Sequence, residues 1–281
     1  MNLLNCEFDP VTEEQTCSWA ADFIEKGERG YVSTVNVSIL MSMQDDPDLK
    51  RFVDRSALTV ADGMPIVWLS KVLGKPLPER VAGVDLVMSL SRKAAEHQVP
   101  IYLLGAKSDV VKRVSEHLQQ EIPGIQIVGA DDGYFDESEF SERAKKIAES
   151  QAGILFVAMG SPRQEEFLDQ SWDELGVNLA MGVGGSFEVI AGNKQRAPIW
   201  MQEYGFEWLF RLVQEPRRLM GRYLVTNSQF VWAATKAIAQ HGIRKFAKQF
   251  LTLERRNDRE PNWLTIATLL VLGMRSVLGA I

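Results

Sequence analysis

Gly153-Ile154-Leu155-Phe156-Val157-Ala158-Met159 is an uncharged apolar run, followed at once by Gly160-Ser161-Pro162-Arg163-Gln164-Glu165 and a polar, helix-length stretch over about 163–175. A short run of branched side chains, closed by glycine and leading into a helix, is the unit of a parallel sheet buried on both faces. The same unit recurs in both directions along the chain. Tyr31–Leu40, Ala57–Ala61, Pro100–Gly105, Ile125–Gly129 and Val177–Val183 read as further strands. Between them, helices are expected over roughly 44–55, 64–73, 84–98, 107–121 and 137–151, with Asp109 and Ser138 as caps near two of the starts. This alternation predicts an α/β fold, a Rossmann-like and mostly parallel sheet with helices on both faces, over residues 1–195.

From Arg196 onward the strand signal stops. Residues 196–250 form a C-terminal helical appendage in which 198–250 are helical in pattern and rich in Trp, Phe and Arg, and Pro216 breaks or kinks it. Residues 251–281 read as a charged linker around 254–260 and then an apolar tail, Trp263 to Ile281. That tail is too short before Arg275 for a good spanning helix, which wants ~20 apolar residues. An interfacial helix led by Arg244, Lys245, Lys248, Arg255, Arg256 and Arg259 fits better, with a buried or oligomer-interface helix and a true span left open.

With 281 residues, 46% hydrophobic and 24% charged, the chain has ample material for a packed core. Disordered, collagen-like and disulfide-stapled classes are excluded. The net charge of -6 divides unevenly: residues 1–193 carry 17 Lys+Arg against 31 Asp+Glu, and residues 194–281 carry 14 against 6. An acidic body with a basic C-terminal part points to an anionic partner: nucleic acid, a membrane surface or a phosphorylated substrate. Cys6 and Cys17 are the only cysteines, which suits a reducing cytosol, and with three scattered histidines they provide no zinc-ligand spacing. Residues 1–10 do not have the pattern of a secretory signal.

Ligands of open α/β sheets bind beyond the carboxyl ends of the strands. Those ends hold Thr34 and Asn36, Ala61-Asp62-Gly63, Leu104-Gly105-Ala106, Asp131-Asp132-Gly133, Gly160 to Glu165 and Gly182-Val183-Gly184-Gly185-Ser186-Phe187. Glycines there allow close backbone approach, and the helix starts behind them present N–H groups to phosphate. No P-loop and no complete dinucleotide fingerprint occurs, so an oxidoreductase reading is weak. Asp62 is the sharpest carboxylate, with two readings: a general base, or the cap of the helix expected from Met64. Asp45-Asp46 read as a helix start and Asp131-Asp132-Gly133 as a turn.

These stretches, with Arg80-Val81-Ala82-Gly83-Val84-Asp85, Gly133-Tyr134-Phe135, Ala191-Gly192, Arg196-Ala197-Pro198, Glu207-Trp208-Leu209-Phe210-Arg211 and Glu215-Pro216-Arg217-Arg218, resemble the WecG/TagA/CpsF family of bacterial glycosyltransferases, glycosyltransferase family 26. The resemblance runs from Thr34 to about Tyr223. It implies an inverting, metal-independent enzyme without a cofactor. Such an enzyme moves N-acetylmannosamine, its uronic acid or glucose from a UDP-sugar onto a polyprenyl-diphosphate-linked sugar at the cytosolic face of the membrane. By this resemblance Asp62 is the base, Thr34 and Asn36 lie near the acceptor and the base, and Arg80 and Gln164 belong to the pocket.

Gly105, Gly184 and Gly185 are expected to approach the substrate through backbone. Of the arginines Arg211, Arg217, Arg218 and Arg222, expected to meet the leaving diphosphate, Arg211 and Arg218 stand out. Glu188 stands where the family often has Asp. The expected partners are the UDP-sugar, the lipid-linked acceptor and an anionic membrane surface, with a homo-oligomer open; the apolar tail favours lipid over nucleic acid. The competing reading is a non-catalytic UDP-sugar or lipid-binding protein of the same fold.

Overall fold

A computed structural model describes residues 1–256, with side chains through 245. Met1–Ser228 form one compact unit and a second begins at Gln229. The chain opens with a small antiparallel pair that the sequence did not announce, β1 (Asn2–Leu3) and β2 (Cys6–Glu7), which turns through Leu4 and Asn5 at positive φ. Helix α1 (Glu13–Glu25) follows, and its start is a capping box in which Thr12 and Gln15 satisfy each other's backbone N–H.

The next strand, β3 (Gly30–Val35), is buried at every position. The sequence run Tyr31–Leu40 had suggested a longer strand. Instead Asn36 accepts the Ile39 amide and starts α2 (Val37–Ser42), because an Asn cap decides between helix and strand where the apolar residues fit both. Helix α3 (Pro47–Asp54) is capped by Asp46, whose carboxylate accepts from the amides of Asp48 and Leu49 at 3.0 Å each. Strand β4 (Leu58–Ala61) then leads into α4 (Met64–Val72), α5 (Gly83–Glu96), β5 (Ile101–Gly105) and α6 (Ser108–Glu121).

Asp109 and Ser138 do not act as caps. Asp109 lies inside the first turn of α6 and pairs with Arg113 at 2.9 Å. Asp136 makes the capping box with Glu139, ahead of α7 (Phe140–Glu149). Strand β6 (Ile127–Asp131) sits two residues later than the expected Ile125–Gly129, and its alternating half-exposure marks an edge strand. After it come β7 (Ile154–Ala158), α8 (Arg163–Leu175), β8 (Leu179–Gly182) and α9 (Ser186–Ile190).

The region expected to be helical over 198–250 resolves into α10 (Ile199–Glu203), α11 (Glu207–Gln214) and α12 (Pro216–Arg256). Pro216 takes the first helical position, where its missing N–H costs nothing. Residues 254–256 are therefore helix rather than linker. The remainder of that linker and the tail expected over 263–281 lie outside the described residues. Among those described, no helix is long and apolar enough to cross a membrane.

Six strands form one parallel sheet in the order β4-β3-β8-β7-β5-β6, as the alternating pattern predicted. Strands β3, β4, β5 and β7 are buried throughout, which is why β5 and β7 are apolar without alternation, while β3 and β4 also bury Ser33, Thr34 and Thr59. The order brings the carboxyl ends of β4, β3, β8 and β7 side by side. Those of β5 and β6 continue the same edge beyond β7.

Candidate active site

The neighbouring ends of β4, β3, β8 and β7 floor an open cleft of about 900 Å³, walled by α11 and the first turns of α12. Eight of the ten residues singled out from the sequence line it: Thr34, Asn36, Asp62, Gln164, Gly184, Gly185, Arg211 and Arg218.

Asp62 follows β4, its amide held by the Val35 carbonyl at 2.9 Å. It does not cap the next helix: Gly63 holds the cap position of α4, with no side-chain cap bond. The carboxyl group is thus left to the cleft. Its pKa is pushed up to about 6, first by burial and then by the nearby Glu207 charge, against the lowering pull of Arg211, Arg80 and the Gly83 N–H. A carboxylate in that range is ionised at neutral pH yet basic enough to accept a proton in a transition state.

Thr34 on β3 and Asn36, the cap of α2 just past it, stand beside it. The Thr34 hydroxyl donates to the Gly182 carbonyl at 3.2 Å, tying the ends of β3 and β8. Asn36 spends its carbonyl oxygen on the α2 cap at 3.1 Å, so what it can offer a ligand is its NH2. Gln164 is buried and shapes the loop after β8. Its carbonyl oxygen accepts the Gly184 amide at 2.9 Å, and its NH2 donates to Glu165 at 2.9 Å. Gly184 adopts φ +50°, a conformation that most side chains disfavour. Glu165 is buried too, and burial raises its pKa to about 7 despite the Gln164 bond. Its second oxygen has no hydrogen-bond partner among the described residues. Glu165 is therefore the rear support that orients Gln164, accepting its NH2 so that the carbonyl oxygen meets the glycine loop.

Two sequence-chosen residues sit elsewhere. Gly105 ends β5, the strand next beyond β7, and does not line the cleft; its φ is +128°, and an added Cβ would lie 2.5 Å from the Ala158 backbone. It is a packing glycine between β5 and β7. Arg80 stands one step behind the cleft, where its guanidinium grips Glu207 and donates to Gln202 at 3.1 Å. Glu207 in turn accepts from Arg211 at 2.6 Å, so Arg80 reaches the site through Glu207 and Arg211. Asp85, paired in two places with Arg196, closes the same network at 3.8 Å from Arg80.

The cleft also contains residues that the sequence did not single out as ligands. These are Lys194, Glu215 and Tyr223; Arg222 from α12, one of the four arginines expected at the diphosphate, lines it as well. Arg222 donates to the Ser38 hydroxyl on α2 at 2.7 Å, and Arg217 is not among the lining residues. Glu188 supports the turn before Lys194, its carboxylate accepting from Asn193 at 2.8 Å. Four cations, Lys194, Arg211, Arg218 and Arg222, thus face two carboxylates, Asp62 and Glu215. Among the described residues, no three His, Cys, Asp or Glu side chains converge as a metal ion would need.

The sequence model of the Glycosyl transferase WecG/TagA/CpsF family matches residues 1–244. The chain belongs to that family. Two relatives carry the name N-acetylglucosaminyldiphosphoundecaprenol N-acetyl-beta-D-mannosaminyltransferase. The one from Bacillus spizizenii is 33% identical over 214 residues, covering 76% of this chain and 82% of the relative. The one from Bacillus subtilis is 35% identical over 196 residues, covering 70% and 76%. As a member of the WecG/TagA/CpsF family, the chain is a glycosyltransferase, and its conspicuous cleft is the candidate place for transfer.

Proposed function

We propose that this glycosyltransferase moves N-acetylmannosamine from its UDP derivative onto N-acetylglucosamine carried by a polyprenyl diphosphate, with inversion and without a metal ion. The observation that carries the reading is the cleft itself: a carboxyl group with a pKa of about 6 opposite a wall of lysine and arginine. The two relatives' names supply the sugars and the lipid. Those names also specify a β-linked product, whereas a UDP-hexosamine carries its sugar α-linked. A single in-line displacement inverts the centre, and it requires one base on the acceptor side and charge stabilisation on the leaving-group side.

In this mechanism Asp62 takes the proton from the acceptor hydroxyl as the oxygen attacks the anomeric carbon. Thr34 and Asn36 orient the acceptor beside it. The departing UDP gains negative charge, which the cationic wall and the glycine loop held by Gln164 offset. Arg211 is central there, since Glu207 aims it toward the cleft. Helix α11 and the basic helix α12 close the site in this scheme. A membrane-facing surface fits the exposed Ile199, Trp200, Tyr204 and Val213 on and beside α10 and α11, close in sequence to Arg217 and Arg218, because aromatic rings and cations favour an anionic interface. It would bring the chain to the inner leaflet, where a lipid-linked acceptor resides.

The test is UDP release by the purified protein in EDTA, over a panel of UDP-sugars with and without a prenyl-diphosphate-linked N-acetylglucosamine. The expected result is release that requires the acceptor and selects UDP-N-acetylmannosamine. Release that ignores the acceptor, or that stops in EDTA and returns with added metal, contradicts the proposal.

A further inference from the structure

Lys194 lies in the turn between α9 and α10 and is about a quarter exposed. Its Nζ is 2.7 Å from Oε2 of Glu215, and the same oxygen accepts from Arg218 at 2.6 Å. One carboxylate is thus shared by two cations, and all three residues line the cleft. Burial alone would raise the Glu215 pKa, but Lys194 and Arg218 together hold it below the ordinary carboxylate range.

This ion pair is not what fixes its own partners. On the Lys194 side, the amides of Asn193 and Lys194 both donate to the Glu188 carbonyl at 3.0 Å. On the Glu215 side, the Gln214 side chain spans the gap, donating to the Gln195 carbonyl at 3.0 Å and accepting the Gln195 amide at 3.2 Å. These neutral bonds already join the α9–α10 turn to the corner between α11 and α12. The charges are an addition to them, and a partly exposed ion pair contributes little to stability.

We propose that Lys194 binds the diphosphate of the donor, which displaces Glu215 as its counter-ion. One negative charge between two positive ones leaves an excess that a diphosphate, with at least two charges and several acceptor oxygens, matches better. Displacement leaves the fold intact because the Gln214–Gln195 bonds remain. The inference rests on the reading of this cleft as a nucleoside-diphosphate site and adds the residue and the exchange of counter-ion.

The experiment is calorimetric binding of UDP and of uridine, at low salt, to the full chain and to Lys194→Met, Lys194→Arg and Glu215→Gln. The unaltered protein should bind UDP well above uridine. Lys194→Met should weaken UDP about tenfold, the loss of one charge-assisted contact, with uridine unchanged. Lys194→Arg should stay within about twofold of the unaltered protein, and Glu215→Gln should bind UDP as tightly or more tightly, since the competing carboxylate is gone. A structural tie predicts otherwise: both Lys194→Met and Glu215→Gln would weaken UDP. That result overturns the proposal, as does unchanged UDP affinity in Lys194→Met. If the unaltered protein does not prefer UDP over uridine, the donor-site reading itself fails.

Discussion

Asp62 and Asp131 close parallel strands at opposite edges of one sheet, each at the carboxyl end and each near a glycine, yet they inhabit different chemistry. Among the described residues Asp62 has no ion pair, and burial with Glu207 nearby lifts its pKa to about 6. For Asp131, burial alone would raise the pKa. Instead Lys146 at 2.7 Å, the Tyr102 hydroxyl and Arg143 hold its carboxyl below the ordinary range. The first is kept uncomfortable and available, whereas the second is neutralised and structural. The difference lies in what surrounds each strand end, since the local sequence grammar is the same.

Exchanging carboxylate for amide at each position should separate the two most widely. Asp62→Asn should lower transfer by about 10²–10⁴-fold, the range of a lost general base, with UDP-sugar binding retained. Asp131→Asn should leave turnover within about twofold. Comparable losses in a steady-state assay of both variants would break the distinction.

Stability should move in opposite senses. Between pH ~4 and ~6, the folded chain keeps a proton on Asp62 that the unfolded chain has released, so this group's contribution to stability falls as pH rises through that window. Asp62→Asn removes that cost, and thermal melts should show a Tm higher by a few degrees above pH 6, with the gain fading below pH 4. Asp131 has a lowered pKa, so its stabilisation is present above the ordinary carboxylate pKa and is lost in acid. Asp131→Asn should cost up to about 1 kcal/mol at neutral pH. A smaller effect concerns the cause of the Asp62 shift. Glu207→Gln removes a neighbouring negative charge and relieves Arg211 and Arg80 of their counter-ion, so the acid limb of transfer should move to lower pH. An unmoved or raised limb would show that Glu207 does not tune Asp62.

The parallel sheet was legible in the sequence because its buried strands are continuous apolar runs, Ile154–Ala158 the plainest. The positions of Thr34, Asn36, Asp62 and Gln164 at strand ends were legible for the same reason. The limit of β3 was not, since Val37, Ile39 and Leu40 suit a helix or a strand and only the Asn36 cap separates them. Nor was it legible which strand ends meet. Gly105 and Gly184 look alike as glycines at strand ends, and only the order of the sheet puts Gly184 in the cleft and Gly105 one strand beyond β7. The support of the site was hidden for a related reason: Arg80 and Glu207 are 127 positions apart, and no local pattern couples them.

The central claim is that Asp62 is the base and that its surroundings set its pKa. The most direct measurement is the pH dependence of single-turnover transfer between pH 4.5 and 8, for the unaltered protein and for Asp62→Asn. The account predicts a rate that rises with pH through an apparent pKa near 6, and a residual rate without that limb in Asp62→Asn. A rate indifferent to pH across the range, or the same limb persisting in Asp62→Asn, would contradict it.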